Sequence, residues 1–132
     1  MQEFTGRIAV VTGGASGMGR ELVRQLAAQG AHVAMCDLSV EEMEETRRLA
    51  LAESPDDVVV TCHTCDVSDE DAMLAFRDEV VIRHQTDHVN LLFNNAGIGG
   101  GGSIIADSRE AWDRTFAICW GGVYFGVRAF MP

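Results

Sequence analysis

The chain has 132 residues, 47% hydrophobic and 23% charged, a composition of soluble globular proteins and enough length for one packed domain. A net charge of −10 argues against nucleic acid or an anionic membrane as partner, because no Lys/Arg cluster could neutralise phosphates over an extended surface. The start, MQEFTGR, lacks the basic-then-apolar pattern of a signal or anchor, and the longest uncharged stretch, 116–127, falls short of the roughly 20 residues a bilayer span needs. These features read as a cytoplasmic protein, with 116–127 forming a buried helix.

Short apolar or β-branched runs alternate with helical patterns along the chain. The strand expectations are Ile8–Thr12, His32–Asp37, 58–62 and 89–94. A first helix carries Leu22, Val23, Leu26 and Ala27 on one face and stops at Gly30, a C-terminal cap. A second opens on Ser39 and Glu42, spaced as a capping box. A third begins near Ser68, with Asp69, Glu70 and Asp71 in its first turn, and buries Met73, Phe76 and Val80. After a loop, GIGGGGS, a fourth helix is capped near Asp107 and aligns Trp112, Phe116, Cys119 and Val123. Mid-helix glycines Gly121 and Gly122 point to a kink or a close approach. Strands and helices alternating in this way imply right-handed βαβ crossovers, hence an α/β fold with a doubly wound parallel sheet.

Cys36, Cys62, Cys65 and Cys119 lack the dense spacing of a disulfide scaffold and suit a reducing compartment. CHTC at 62–65 has no second pair to complete a zinc site, and residues three apart on a strand face opposite ways, so no metal is expected. The histidines are read as strand-end or surface residues without a catalytic role.

The stretch VVTGGASGMGRELV joins the first strand to the first helix, where free N–H groups and the positive end of the helix dipole converge. Glycine there lets a pyrophosphate approach the backbone. A P-loop is excluded because no Lys-Ser/Thr pair follows, and Leu22 breaks the strict GxGxxG pattern. What stands is Thr12-Gly13-x-x-x-Gly17-x-Gly19. Asp37 ends the second strand, Asp66-Val67 follows the third, and Asn94-Asn95-Ala96-Gly97 follows the fourth.

Together these motifs resemble the short-chain dehydrogenase/reductase family, over about the first half of its fold. The resemblance implies an incomplete Rossmann-type sheet of order 3-2-1-4, residues 1–132 being the cofactor-binding half of a single domain. It implies that Gly13, Ser16, Gly17, Met18 and Gly19 hold a pyrophosphate, that Asp37 and Leu38 meet the adenosine ribose, that Asp66 and Val67 line the adenine pocket, and that Asn95, Ala96 and Gly97 flank the cofactor. Asp37 independently lies near the offset expected of a ribose-binding acid. For Asp66, capping the third helix is the competing role. With Asp37 present and Ser16 rather than a basic residue before Gly17, NAD is expected over NADP. The expected reaction is hydride transfer between nicotinamide and a small alcohol or carbonyl, in a homo-oligomeric parent.

The family's catalytic serine and Tyr-x-x-x-Lys would fall beyond this chain, so no catalytic residue is assigned. Tyr124, with Arg128 four residues on, is read as packing, and Ser103 and Ser108 as loop and cap. The family's helix asparagine is replaced by Cys119, read as packing among Trp112, Phe116 and Val123. The alternatives are a non-catalytic dinucleotide-binding module and, third, a nucleotide-binding protein of another kind, such as a methyltransferase.

Overall fold

The computed structural model describes residues 3–99 and 105–131. β1 (Ile8–Thr12) and β2 (His32–Asp37) are continuous apolar runs rather than alternating ones, as strands covered by helices on both faces must be. They pair in parallel from Ile8↔His32 to Thr12↔Cys36. β3 (Val60–Thr64) and β4 (Leu91–Phe93) complete a parallel sheet of order β3-β2-β1-β4.

β3 begins and ends two residues later than expected. The N–H of Val58 is taken in a turn by the Pro55 carbonyl at 3.2 Å, and that of Val59 by His32 Nδ1 at 3.0 Å, so the β3 register starts only at Val33↔Val60. β4 is shorter than its apolar run. Asn90 pairs with both backbone groups of Ile8, and Asn95 N–H bonds back to Phe93 O at 2.9 Å, closing the strand.

α1 (Gly17–Ala28), α2 (Val40–Ala52) and α3 (Glu70–Arg83) follow the first three strands in turn. Gly30 ends α1 region at φ +91°, where other residues are strained. Ser39 caps α2, accepting from Glu42 N–H at 3.3 Å, but the Glu42 carboxylate is engaged by Arg20 at 2.7 Å. α3 is capped by Asp69, not opened at Ser68; Asp69 Oδ1 accepts from Asp71 and Ala72. The fourth expected helix runs as α4 (Arg109–Phe116), a π-helical turn over Ala117–Gly121, and α5 (Gly122–Phe130), capped by Ser108 Oγ rather than Asp107. Ser103 and the end of the glycine run lie outside the described residues.

Alternating strand positions serve two cores. Ala9, Val11, Val33, Met35 and Val60 pack with α1 and α2 through Val23, Leu26 and Met43. Val10, Ala34 and Cys36 face the other layer, with Met73, Phe76 and Val80 of α3. Cys62 belongs at the border of the first core and Cys65 to the second, so the two thiols of CHTC face opposite layers.

The helix over 116–127 is not buried. Gly122, Gly126 and Ala129 are its inward face, while Phe116, Trp120, Val123, Tyr124 and Val127 are exposed. A Cβ on Gly122 would lie 2.8 Å from Val67 Cγ2, and one on Gly126 would overlap Asn94 Oδ1. Hydrogen at these positions lets the backbone reach the second core, on which Ile118, Phe125 and Phe130 also pack, while the other large side chains stay outside. Trp112, Phe116 and Trp120 stack along that outer face, at ring separations of 5.2 and 6.0 Å.

His63 is neither at a strand end nor on the surface. It is 2% exposed in mid-β3, packed on Phe76. The Thr61 hydroxyl touches His63 Nε2 at 2.8 Å and His84 Nε2 at 2.7 Å. One hydroxyl has one hydrogen, so at most one imidazole accepts from Thr61 and at least one donates to it. Burial lowers both imidazoles from their ordinary value; His84, also repelled by His63, His32 and Arg83, falls to about 4. The unfolded chain therefore binds protons more readily than the folded one between about pH 6.5 and 4. Stability contributed by neutral His84 is complete above that window and is lost as pH falls through it. The urea midpoint should drop between pH 7 and pH 5, and His84→Asn should flatten that drop; an equally steep dependence in the variant would contradict this.

Candidate functional site: a cleft at the carboxyl ends of the strands

β1 ends on Thr12, 2% exposed, whose hydroxyl accepts the N–H groups of Asn95 and Ala96 at 3.0 Å each. Asn95 Nδ2 returns to the carbonyls of Thr12 and Gly13 at 3.2 and 3.3 Å. The segment after β4 is thereby held against the glycine turn after β1. That approach leaves no room for side chains: a Cβ on Gly13 would stand 2.8 Å from Ala96 Cα, and one on Gly19 would overlap the Gly13 carbonyl.

The turn feeds directly into α1. Ser16 occupies the N-cap but its side chain makes no cap bond, and no acidic residue lies in the first turn. α2, α3 and α4 differ: each has a side-chain cap and acid in its first turn. The positive end of α1 is thus left for an anion from outside.

Opposite stands Asp37, at the end of β2. Its Oδ2 accepts from Ala15 N–H at 3.0 Å and its Oδ1 from Leu38 N–H at 2.8 Å. Each oxygen keeps a second lone pair, a geometry able to receive two neighbouring hydroxyls. Asp66 does not cap α3. It accepts Ser68 Oγ at 2.6 Å and Ser68 N–H at 2.9 Å, bonds that, with the Arg114 charge, hold its carboxyl below the ordinary carboxylate range.

These groups surround one open cleft of about 350 Å³, within the range of small-molecule sites. All the residues that the resemblance assigns to the cofactor border it: Gly13, Ser16, Gly17, Met18, Gly19, Asp37, Leu38, Asp66, Val67, Asn95, Ala96 and Gly97. Sequence reasoning missed Cys65, Ile98, Arg114 and Ile118, which also line it. Cys65 could have been found as the neighbour of Asp66. Arg114 and Ile118 come from α4 and the π-helical turn, across a loop whose length hides their approach.

Cys119 is exposed rather than buried in packing; its thiol donates to Ile98 O at 3.5 Å, beside the cleft. Tyr124 lies outside the lining, 53% exposed, against Phe125 and under the Arg128 guanidinium. Arg128 itself is tied to Glu70 at 2.8 Å. No helix among the described residues is long and apolar enough to cross a membrane.

A glycine turn opening on an uncapped helix, with an acid at the next strand's end, defines a dinucleotide-binding α/β fold. The sequence profile of the short chain dehydrogenases matches residues 7–132, and the chain belongs to that family. Levodione reductase of Leifsonia aquatica is 35% identical over 125 residues, 94% of this chain and 46% of its own. A crystal structure of levodione reductase superposes with a TM-score of 0.90 at 32% identity, covering 98% of this chain and 49% of that one. A short-chain dehydrogenase/reductase from Burkholderia phymatum in complex with NAD has a TM-score of 0.88 at 33% identity, covering all of this chain and 45% of its own. A metagenomic short-chain oxidoreductase in complex with NADP has a TM-score of 0.87, also at 33% identity, covering 98% of this chain and 57% of that one. The chain spans about half the length of the curated relatives it matches.

Replacing Thr12 by Val keeps the shape and removes the hydroxyl, leaving the Ala96 N–H without its acceptor and the Asn95 N–H with Phe93 O alone. Unfolding in urea should show a loss of about 1–3 kcal/mol. Thr12→Ser should recover most of it; a Val variant as stable as the parent would contradict this account.

Proposed function

We propose that residues 1–132 form the cofactor-binding half of a single dinucleotide domain, belonging to an NAD-dependent enzyme that interconverts a small alcohol and a carbonyl compound. The observation that carries this reading is the uncapped N-terminus of α1 opening on the cleft opposite Asp37. The pyrophosphate would meet the turn from Gly13 to Gly19, and the adenosine ribose Asp37 and Leu38. Asp66 and Val67 would border the adenine, and Asn95, Ala96 and Gly97 the nicotinamide side. Bound there, the cofactor supplies or accepts a hydride. The four free thiols fit a cytoplasmic setting. The stacked outer face formed by Trp112, Phe116 and Trp120 fits association into a homo-oligomer.

NAD is favoured over NADP because a 2′-phosphate would enter beside the Asp37 carboxylate. At about 5 Å and an effective dielectric near 20, the repulsion is about 3 kcal/mol per unit charge, on the order of a hundredfold in affinity. The cation in the cleft wall, Arg114, acts on Asp66. Arg20, one residue beyond the turn, is bonded to Ala15 O, Thr46 and Glu42. Dissociation constants from titration calorimetry should therefore favour NAD, and Asp37→Ala should narrow the ratio to below tenfold. Equal constants in the unaltered chain would overturn the assignment.

Binding does not by itself give turnover. Reducing a carbonyl also requires a proton for the developing alkoxide, and general acid catalysis is typically worth about 10²–10⁴-fold. Tyr124 is the chain's one tyrosine and lies outside the cleft lining. The purified 132-residue chain is expected to bind NADH yet reduce no carbonyl substrate. An NADH-dependent reduction abolished by Tyr124→Phe would show Tyr124 to be the acid. A second reading, a dinucleotide-binding module without chemistry, is favoured by Cys119, which brings a thiol to the cleft edge at the family's asparagine position.

A further inference from the structure

Ala15, between Gly14 and Ser16, is held from both sides. Its N–H is the donor to Asp37 Oδ2 at 3.0 Å. Its carbonyl accepts from Arg20 Nη2 at 2.7 Å and from the Thr46 hydroxyl at 3.2 Å. Arg20 Nε donates to the same Thr46 Oγ1 at 2.9 Å, which leaves that hydroxyl's hydrogen for Ala15. The Arg20 fork is oriented by Glu42, whose carboxylate and backbone carbonyl accept from Nη2 at 2.7 and 3.2 Å. Thr46 is fully buried. Neither Arg20, Thr46 nor Glu42 borders the cleft.

We infer that Arg20 and Thr46 are positioning residues that set the ribose selectivity of Asp37 by clamping Ala15. This rests on the cofactor reading of the cleft. The Asp37 carboxylate is aimed by a backbone N–H whose own place is fixed by the clamp on the same residue's carbonyl. If the clamp is released, Ala15 can rotate, Oδ2 loses its donor, and the two lone pairs that face a ribose diol lose their orientation. Lysine cannot replace arginine here, because one ammonium cannot span Thr46, Ala15 and Glu42 as a planar fork does. The glycine turn keeps its own anchors, since Gly13 and Gly14 N–H groups bond to Cys36 O at 2.8 and 3.3 Å. Pyrophosphate binding should therefore survive a loss of ribose recognition.

The test compares ADP with 2′-deoxy-ADP, which differ only in a hydroxyl expected to meet Asp37. Calorimetry on the unaltered chain should give about tenfold or more in favour of ADP, the worth of one hydrogen bond to a charged group. Arg20→Lys and Thr46→Val should each cut the ratio to about twofold while still binding both ligands, and Thr46→Ser should restore it. In an Asp37→Ala background, Arg20→Lys should no longer change the ratio. A purely structural role would weaken both ligands equally and leave the ratio intact, as would variants as selective as the parent; either result overturns the inference alone. Should Arg20→Lys fail to fold, the Thr46→Val and Thr46→Ser pair decides by the same ratio. An unaltered chain that binds ADP without preferring it overturns the inference as well, and one that binds neither ADP nor NAD overturns the cofactor reading together with it.

Discussion

The backbone of Gly19 lies so close to the Gly13 carbonyl that a single added carbon would overlap it. This contact turns the end of β1 sharply into α1 and aims the first N–H groups of the helix into the cleft. The rest of the site is arranged around it. Asn95 bonds to Gly13 O, Thr12 gathers the segment after β4, and Ala15 reaches sideways to Asp37. Three strands thus end on one point because the backbone carries only hydrogen where Gly13 and Gly19 make their close approaches.

The charge pattern is consistent with that geometry. A chain of net charge −10 repels an anionic ligand at long range, so attraction must be local and built from backbone. α2 and α3 spend acidic residues on their own first turns, whereas α1 leaves its positive end open. Fixed dipoles at short range can outweigh a diffuse, solvent-screened surface charge.

The sequence made β1, β2 and the cleft's near wall readable because each had a local cause. Apolar runs between turn signals mark buried strands, and Thr12 to Gly19 and Asp37 are tied to positions one can count. β3 starts two residues into its apolar run because its start depends on the His32 ring, a contact from the neighbouring strand that periodicity does not encode. The burial of His63 has a similar cause: it follows from the packing of α3, with Thr61 at its Nε2 and the Glu79 carboxylate 3.7 Å from its Nδ1. Arg114 and Ile118 reach the cleft across a long connection without a periodic signal. The hydrophobicity of the fourth helix suggests burial all round, whereas its fully buried positions are glycine and alanine, flanked by Ile118, Phe125 and Phe130, and its other large side chains face outward.

The π-helical turn over Ala117–Gly121 sets a phase as well as a path. Before it, the helix is in step with the stack of Trp112 and Phe116; after it, with the small face of Gly122, Gly126 and Ala129. A wide turn of this kind carries one residue more than α-helical winding would use, and each residue advances a helix by about 100°. Removing one residue from this segment would return it to α-helical winding with the two faces still nearly in phase, whereas removing one from α4 would rotate everything downstream by about that angle and present bulky side chains where Val67 and Asn94 now meet hydrogen atoms. The wide turn is the place in this helix that tolerates a change of length.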